Sequence, residues 1–228
     1  KDLLPPPSYF PLNVKLNKEG YSDIDLVLKR GKTGHAPDVF ELLVNSSGAV
    51  VLDVRNQNEF SKAHVPNSIF IGINGGFAPW VGALIVDVNQ PILLVVSEDK
   101  LEETITRLAR VGFDNTLGYL KGGVEAWEAS GKEFESVERI QADAFALAVG
   151  LKKQAIFDVR KEGEYKSEHI VGALNTPLRL LNNYLEDFPK EENFYLHCAG
   201  GYRSVIAASI LKSRGIHNFI DIEGGFAS

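Results

Sequence analysis

The feature that most constrains the fold of this 228-residue chain is a long internal repeat. Blocks of sequence recur in the same order at a spacing of a little over 100 residues. The paired blocks are Val51-Leu52-Asp53-Val54-Arg55 and Ile156-Phe157-Asp158-Val159-Arg160, Glu59-Phe60 and Glu164-Tyr165, His64-Val65 and His169-Ile170, and Leu120-Lys121-Gly122-Gly123-Val124 and Ile222-Glu223-Gly224-Gly225-Phe226. Because the period is too long for a solenoid unit, it predicts two copies of one domain.

Apolar strands alternate with helices in each copy. Strands are predicted at 50–54, 69–71, 92–96, 116–119, 155–159, 174–176, 194–196 and 218–221, and helices at 101–111 and 204–214. Strands that are apolar throughout and separated by helices predict an α/β fold in which each copy has a mainly parallel sheet with helices on both faces. Ligands of such sheets bind at the carboxyl ends of the strands. The segment 75–80 is predicted to be a loop without a phosphate-binding role.

The only cysteine of the chain, Cys198, lies at such a strand end. It is followed by Gly200, Gly201 and Arg203 before an apolar helix begins. A thiol at this place lies among backbone N–H groups at the positive end of the helix, which favours the nucleophilic thiolate. The glycines let N–H groups converge and the arginine adds a forked donor, so the loop suits an anion. A lone cysteine is most often buried and inert, but these neighbours favour a reactive thiol.

Composition excludes several classes of function. A net charge of −6 argues against a nucleic-acid partner, and no apolar stretch approaches the roughly 20 residues of a membrane span. A single cysteine cannot form an internal disulfide, and no signal peptide is recognised. We therefore expect a cytoplasmic protein. Since the chain contains no methionine, we expect it to be processed or to be a fragment of something longer.

The Asp-Val-Arg strands, the Glu and His signals, the Gly-Gly helix start and the Cys-x-x-Gly-x-Arg loop together resemble the rhodanese sulfurtransferase family, over about residues 35 to 228. The resemblance implies that Cys198 takes a sulfane sulfur from a small donor such as thiosulfate or a persulfide. It would then pass this sulfur to a thiol or cyanide-like acceptor. The donor-binding residues that it implies are Ala199, Gly200, Gly201, Tyr202, Arg203 and Ser204.

Residues that both copies retain are predicted to support the loops, because only one copy has the cysteine. In the second copy these are Asp158, Arg160, Glu164 and His169, which match Asp53, Arg55, Glu59 and His64 in the first. Internal ion pairs and a backbone-bonded histidine are their expected contacts. His197 is expected to point away from Cys198, since adjacent strand residues face opposite sides. Tyr202 either lines the mouth of the site or packs.

The first copy departs from the family pattern after its third strand. The sequence aligns Ser97 with the cysteine, and Glu98 and Asp99 follow where glycines are expected. Two carboxylates would repel an anionic donor, so this copy is predicted to be inactive. In the second copy four residues separate Cys198 from Arg203. The related phosphate- and arsenate-handling loops have five, so the shorter spacing favours sulfur over phosphate chemistry.

Three segments are expected: a proline-rich arm at 1–34, an inactive rhodanese-like domain at 35–133 and a catalytic one at 134–228. The arm resembles the carboxyl tail of metallo-β-lactamase-fold proteins fused to rhodanese modules. That resemblance implies an upstream partner domain holding zinc or iron. No metal-binding motif and no cofactor are expected in this chain. The sequence leaves the oligomeric state open, a homo-oligomer included.

Three functions remain open at this point. The first is a sulfurtransferase that works through a Cys198 persulfide. The second is a non-enzymatic region that accepts sulfur for, or docks to, a sulfide-oxidising metallo-hydrolase-fold domain. The third is a phosphatase.

Overall fold

The computed structural model describes residue 14 and residues 23–151 and 154–228. Most of the predicted proline-rich arm therefore lies outside the described residues. The elements of the first copy are α1 (Ile24–Gly31), β1 (Gly34–His35), α2 (Pro37–Ser47), β2 (Val50–Asp53), α3 (Gln57–Lys62), β3 (Ile69–Phe70), α4 (Phe77–Leu84), β4 (Ile92–Val95), α5 (Glu98–Ala109), β5 (Thr116–Leu120) and α6 (Gly123–Ala129). The predicted loop at 75–80 is wrong from Phe77 onward, because α4 begins there and carries Pro79 in its first turn, where proline is tolerated.

The second copy repeats this order from the first strand onward, with connections of similar length. Its elements are β6 (Arg139–Ile140), α7 (Ala142–Leu151), β7 (Ile156–Asp158), α8 (Glu162–Ser167), β8 (Leu174–Asn175), two 3₁₀ turns (Leu178–Asn183 and Leu185–Asp187), β9 (Phe194–His197), α9 (Tyr202–Ser213), β10 (Phe219–Ile222) and a last 3₁₀ turn (Gly225–Ala227). The 3₁₀ turns stand where the first copy has helix α4.

The strands form two five-stranded sheets with the same topology. Their orders are β1-β5-β4-β2-β3 and β6-β10-β9-β7-β8. The central pairs β2 with β4 and β7 with β9 are parallel, as are both strands paired with β10. The predicted α/β fold with parallel sheets is confirmed. The middle strands β4 and β9 are buried at every residue, which explains why β4 is apolar throughout and β9 up to Leu196.

The pairing register fixes which residues of the two copies are equivalent. Asp53 pairs with Val95 in the first sheet, and Asp158 pairs with His197 in the second. Val95 and His197 therefore occupy the same position, at the carboxyl end of the middle strand. The residues that follow them begin the loops in which the two copies differ.

The helices that follow these loops are buried to different extents. Helix α5 has a buried stripe made by Leu101, Thr104, Ile105 and Leu108, and most of its other residues are charged. Helix α9 is buried without interruption over residues 204–211. An amphipathic helix covers one surface, whereas a helix that is apolar on all sides must be covered on all sides.

The described residues cluster into two compact units that do not follow the repeat. The first unit contains the residues up to Asn56 together with Ile71–Glu133. The second contains Gln57–Phe70 and Phe134–Ser228. A segment of the first copy, spanning α3 and β3, thus packs with the second copy.

Candidate functional site

Cys198 lies directly after β9 and close to the first residues of helix α9. It is a free cysteine, and only 1% of its surface is exposed. The N–H of Gly201 donates to its Sγ over 3.2 Å. Gly201 is the residue before the helix and has a φ of 83°, a left-handed conformation that favours glycine. The loop therefore turns a backbone donor at the positive helix end toward the sulfur.

The last 3₁₀ turn (Gly225–Ala227) forms backbone hydrogen bonds to the loop that follows β9. The N–H of Phe226 donates to the Cys198 carbonyl over 2.7 Å, and that of Ala227 donates to the Ala199 carbonyl over 3.0 Å. Gly225 makes this approach possible, because a Cβ atom there would lie 2.4 Å from the Cys198 oxygen. The second glycine of the repeated Gly-Gly pair thus allows a close backbone contact at the site.

The other predicted donor-binding residues follow one another around the turn. Gly200 is exposed, Ala199 and Tyr202 are half-buried, and Ser204 is fully buried in helix α9. Burial also raises the pKa of Tyr202. Together with Cys198 these residues form the loop after β9 and the first turn of α9. The predicted donor-binding residues thus lie next to one another.

Arg203 meets one of the residues predicted to support the loop. Its Nη1 and Nη2 atoms donate to the two carboxylate oxygens of Glu164 over 2.7 and 2.8 Å. Hydrogen bonding to Arg203 lowers the pKa of Glu164 to about 2, against the opposing influence of burial. The same hydrogen bonds raise the pKa of Arg203. The guanidinium next to the loop is therefore held, and its charge balanced, by a carboxylate from α8.

Asp158 and Arg160 form a forked ion pair beside the strand end. The Nε of Arg160 lies 3.0 and 2.9 Å from the two Asp158 carboxylate oxygens, and its Nη2 lies 2.6 Å from the second. Nη2 also donates to the Glu168 carbonyl over 2.8 Å. The ring of Phe226 lies under this guanidinium at 4.0 Å. This pair connects the loop after β7 to the turn that holds Cys198.

The same forked pair is present in the first copy, where Arg55 Nη2 lies 2.6 Å from Asp53. The repeated histidines also agree: Nδ1 of His64 lies 2.8 Å from the Phe60 carbonyl, and Nδ1 of His169 lies 2.9 Å from the Tyr165 carbonyl. His64 is buried whereas His169 is exposed.

His197 is fully buried between the Cys198 backbone and the Asp158 carboxylate. Its Nδ1 lies 3.2 Å from the Cys198 carbonyl and its Nε2 lies 3.8 Å from an Asp158 oxygen. Burial lowers the pKa of His197, and the nearby carboxylate opposes this effect. Its contact is thus with the cysteine backbone.

Sequence reasoning missed two residues that adjoin the loop. Arg139 Nε donates to Asp221 over 3.0 Å, and Arg139 Nη2 lies 3.3 Å from where a Cβ on Gly201 would be. Burial raises the pKa of Asp221 to about 6, against the lowering influence of Ser204 and Arg139. The sequence could have indicated Asp221, because it is a lone carboxylate inside the apolar strand β10. No signal indicated Arg139, because it precedes the repeated blocks of the second copy.

The corresponding loop of the first copy is shorter and acidic. Two residues separate β4 from α5, compared with four between β9 and α9. The register makes Val96 the equivalent of Cys198, so the alignment of Ser97 with the cysteine is wrong by one residue. Glu98 and Asp99 fill the first turn of α5. An apolar side chain therefore stands where the thiol would be.

The described residues contain no group of three His, Cys, Asp or Glu side chains that could hold a metal ion. Within the same residues, no helix is both long and apolar enough to cross a membrane.

Sequence comparison finds relatives of parts of this chain. The chain is 34% identical over 77 residues to the Uncharacterized protein YqhL of Bacillus subtilis, which covers 34% of this chain and 61% of that protein. It is 30% identical over 106 residues to the Putative sulfur carrier protein YrkF of the same organism, covering 46% and 55%. It is 34% identical over 71 residues to the Thiosulfate sulfurtransferase GlpE of Coxiella burnetii, covering 31% and 66%. The chain thus spans less than two thirds of each of these relatives.

Among solved structures, a thiosulfate sulfurtransferase from Pseudomonas aeruginosa aligns with 95% of this chain and 45% of its own, at 18% identity and a TM-score of 0.39. A family model described as the rhodanese-like domain matches residues 36–130 and again 141–228. These two matches together cover most of the sequence. The chain belongs to the rhodanese-like domain family, of which it contains two copies.

Proposed function

We propose that this protein is a sulfurtransferase that moves a sulfane sulfur from thiosulfate or a persulfide to a thiol or cyanide-like acceptor. The observation that carries the proposal is the position of Cys198, whose Sγ accepts the Gly201 N–H over 3.2 Å at the start of a 12-residue helix. Backbone donors at a helix start stabilise a thiolate and, after sulfur uptake, the terminal sulfur of a persulfide.

The reaction requires no oxidant or metal. The Cys198 thiolate attacks the outer sulfur of thiosulfate, a new S–S bond forms, and sulfite leaves with the electron pair of the broken S–S bond. An acceptor such as cyanide then attacks the terminal sulfur of the Cys198 persulfide. The S–S bond to Cys198 breaks, thiocyanate is released, and the electron pair returns to the thiolate. With a persulfide donor, the leaving group in the first step is a thiolate.

The loop supplies donors for the anionic parts of these reactants. The N–H groups from Ala199 to Ser204 would face the donor. Arg203 would add a charge-assisted contact while Glu164 fixes its position. Replacing Arg203 with alanine should then weaken the use of thiosulfate by about tenfold to a hundredfold.

Two of the relatives support this proposal through their names. One is described as a thiosulfate sulfurtransferase and another as a putative sulfur carrier. In this chain either role would depend on sulfur uptake by Cys198.

The test is intact-mass spectrometry after incubation with thiosulfate or a low-molecular-weight persulfide. We expect a gain of about 32 Da per chain, the mass of one sulfur, together with transfer to cyanide. Cys198→Ser should abolish both, and Ser97→Ala should leave both unchanged. Transfer activity in Cys198→Ser would overturn the proposal. A wild-type chain that gains no mass with any donor would favour a docking role, and hydrolysis of an aryl phosphate would favour a phosphatase.

A further inference from the structure

Helix α9 has a second neighbour besides its own sheet. Strands β9 and β10 contact it, and so does the segment Gln57–Phe70 of the first copy. The Phe70 N–H donates to the Ser209 hydroxyl over 3.0 Å, and both residues are fully buried. Together with the 3₁₀ turn Leu178–Asn183, which also contacts α9, this segment accounts for the continuous burial of the helix, since an apolar helix needs cover on each side.

A row of aromatic rings leads from this segment to the cysteine loop. The His64 ring stacks on Phe60 at 3.9 Å, and Phe60 lies 5.1 Å from Phe70. The Phe70 ring meets Tyr202 edge-on at 5.8 Å with an interplanar angle of 71°. Tyr202 is the first residue of α9 and follows Gly201 directly. Edge-to-face ring pairs have a preferred geometry, so Phe70 restricts where the helix can begin.

The segment is itself fixed at its far end. The backbone groups of His64 and Glu135 exchange hydrogen bonds of 2.8 and 2.9 Å, and the Val137 N–H donates to the Ser61 carbonyl over 2.9 Å. These bonds tie the segment to the chain that enters strand β6.

A polar connection reaches the loop from another direction. The side-chain oxygen of Asn58 accepts a hydrogen bond from Arg139 Nη1 over 2.8 Å. The same guanidinium is bound to Asp221 through Nε, and its Nη2 borders Gly201. Gly201 provides the N–H that faces Cys198. Arg139 Nη1 also donates to Glu223 over 3.2 Å. One side chain of the first copy thus helps Asp221 and Glu223 to orient the cation that adjoins this donor.

We infer that the segment 57–70 of the inactive copy is a positioning element for the active loop of the other copy. It sets the start of α9 through Phe70 and Tyr202, and it orients Arg139 against Gly201 through Asn58. The Gly201 N–H then faces the sulfur in the orientation that stabilises the thiolate. This inference rests on the proposed function where it is tested by the rate of sulfur uptake. A second test, the alkylation of the Cys198 thiol, does not depend on that function.

Two variants test it without removing any residue of the loop. Phe70→Leu keeps an apolar side chain but removes the ring that meets Tyr202, and Asn58→Ala changes an exposed residue. Phe188→Leu is the matched control, because Phe188 is also a buried ring of this unit and packs against Phe157 and Phe194. For each protein we would measure thermal unfolding, the single-turnover rate of sulfur uptake, and the pH dependence of iodoacetamide alkylation of Cys198.

Both test variants should take up sulfur about tenfold more slowly, because a small displacement of a positioned group costs this much or more. Their alkylation profiles should move to higher pH, while Phe188→Leu should match the wild type in both properties despite a lower melting temperature. If the test variants lose only melting temperature, the segment is merely structural and the inference is overturned. If the wild type takes up no sulfur from any donor, the proposed function fails. The alkylation profiles would then still decide whether the segment positions the loop.

Discussion

The two copies carry the same scaffold around two different loops. Each has a forked Asp–Arg pair at the end of one strand and a Gly-Gly turn after another. Yet the first turn of α5 contains Glu98 and Asp99, whereas that of α9 contains no acidic residue. Carboxylates at a helix start are stabilised by the positive end of the helix. The first copy therefore supplies its own negative charges at the helix start, whereas the second copy leaves N–H groups there for the sulfur anion of the proposed function.

The strongest test of this difference between the loops is to move the thiol from the second copy to the first. In the double variant Cys198→Ser with Val96→Cys, the only thiol stands at the equivalent position of the first copy. We expect no sulfur uptake and no transfer to cyanide, because this loop is two residues shorter and its helix begins with two acidic residues. Intact-mass spectrometry with thiosulfate checks this result. A gain of one sulfur would show that the shared scaffold alone activates a cysteine.

The repeated glycines allow a matched comparison of the turns. Gly225→Ala would place a methyl group 2.4 Å from the Cys198 carbonyl oxygen in a residue with a φ of +65°. We expect a loss of about 2–4 kcal/mol in the free energy of unfolding, from strain and overpacking, and a sharp loss of sulfur transfer.

The control is Gly123→Ala in the first copy. Gly123 has a φ of +66°, but a Cβ there would meet only the end of the Glu125 side chain at 2.8 Å. That side chain can move, so we expect a loss of about 1–2 kcal/mol for the left-handed conformation alone and normal transfer. Urea unfolding and the cyanide assay measure both variants. Equal losses would show that the close approach at Gly225 does not matter.

The buried carboxylate beside the Cys198 loop also has no counterpart in the first copy, where Tyr119 takes the place of Asp221. Burial raises the pKa of Asp221 from 3.8 to about 6. The folded state therefore binds this proton more tightly than the unfolded state. The stability that this protonation contributes is fully present below pH 3.8 and is lost as the pH rises through about 6.

Asp221→Asn should remove this pH dependence. Relative to the variant, the wild type should lose about 2–3 kcal/mol of unfolding free energy between pH 4 and pH 7. Denaturant unfolding of both proteins at several pH values measures the difference. A constant difference across this range would mean that the group does not titrate there.

Much of the fold was predictable because the repeat and the apolar strands are strong signals. Helices α5 and α9 were predicted to within a few residues from their apolar spacing and strand-end positions. The two-residue edge strands β1 and β6 were not predicted, although the equally short edge strands β3 and β8 were. Helix α4 was missed since Gly75, Gly76 and Pro79 are typical of loops, although proline fits a first helical turn.

At the site, the sequence predicted the local parts and missed the long-range contacts. The position of Cys198 at a strand end followed from its neighbours, and the Asp-Val-Arg pattern indicated an ion pair that the structure contains. The pairing of Glu164 with Arg203 spans 39 residues and joins two residues with separate predicted roles. Arg139 reaches the loop across 82 residues through Asp221. Such contacts depend on the sheet order, which no local pattern records.

The smallest expected effect concerns the charge that balances Arg203. Hydrogen bonding to Arg203 lowers the pKa of Glu164 from 4.5 to about 2, so the pair contributes stability above pH 4.5 and loses it as the pH falls through about 2. Glu164→Gln should cost less than about 1 kcal/mol at pH 7, since the Glu164 side chain is 36% exposed and the pair is screened by solvent. The difference from the wild type should shrink below pH 4.5. Glu162→Gln is the control, because among the described residues Glu162 pairs with the exposed Lys166, and it should change unfolding less than Glu164→Gln at pH 7. If the Glu164→Gln difference persists unchanged at pH 3, then the ion pair is not its source.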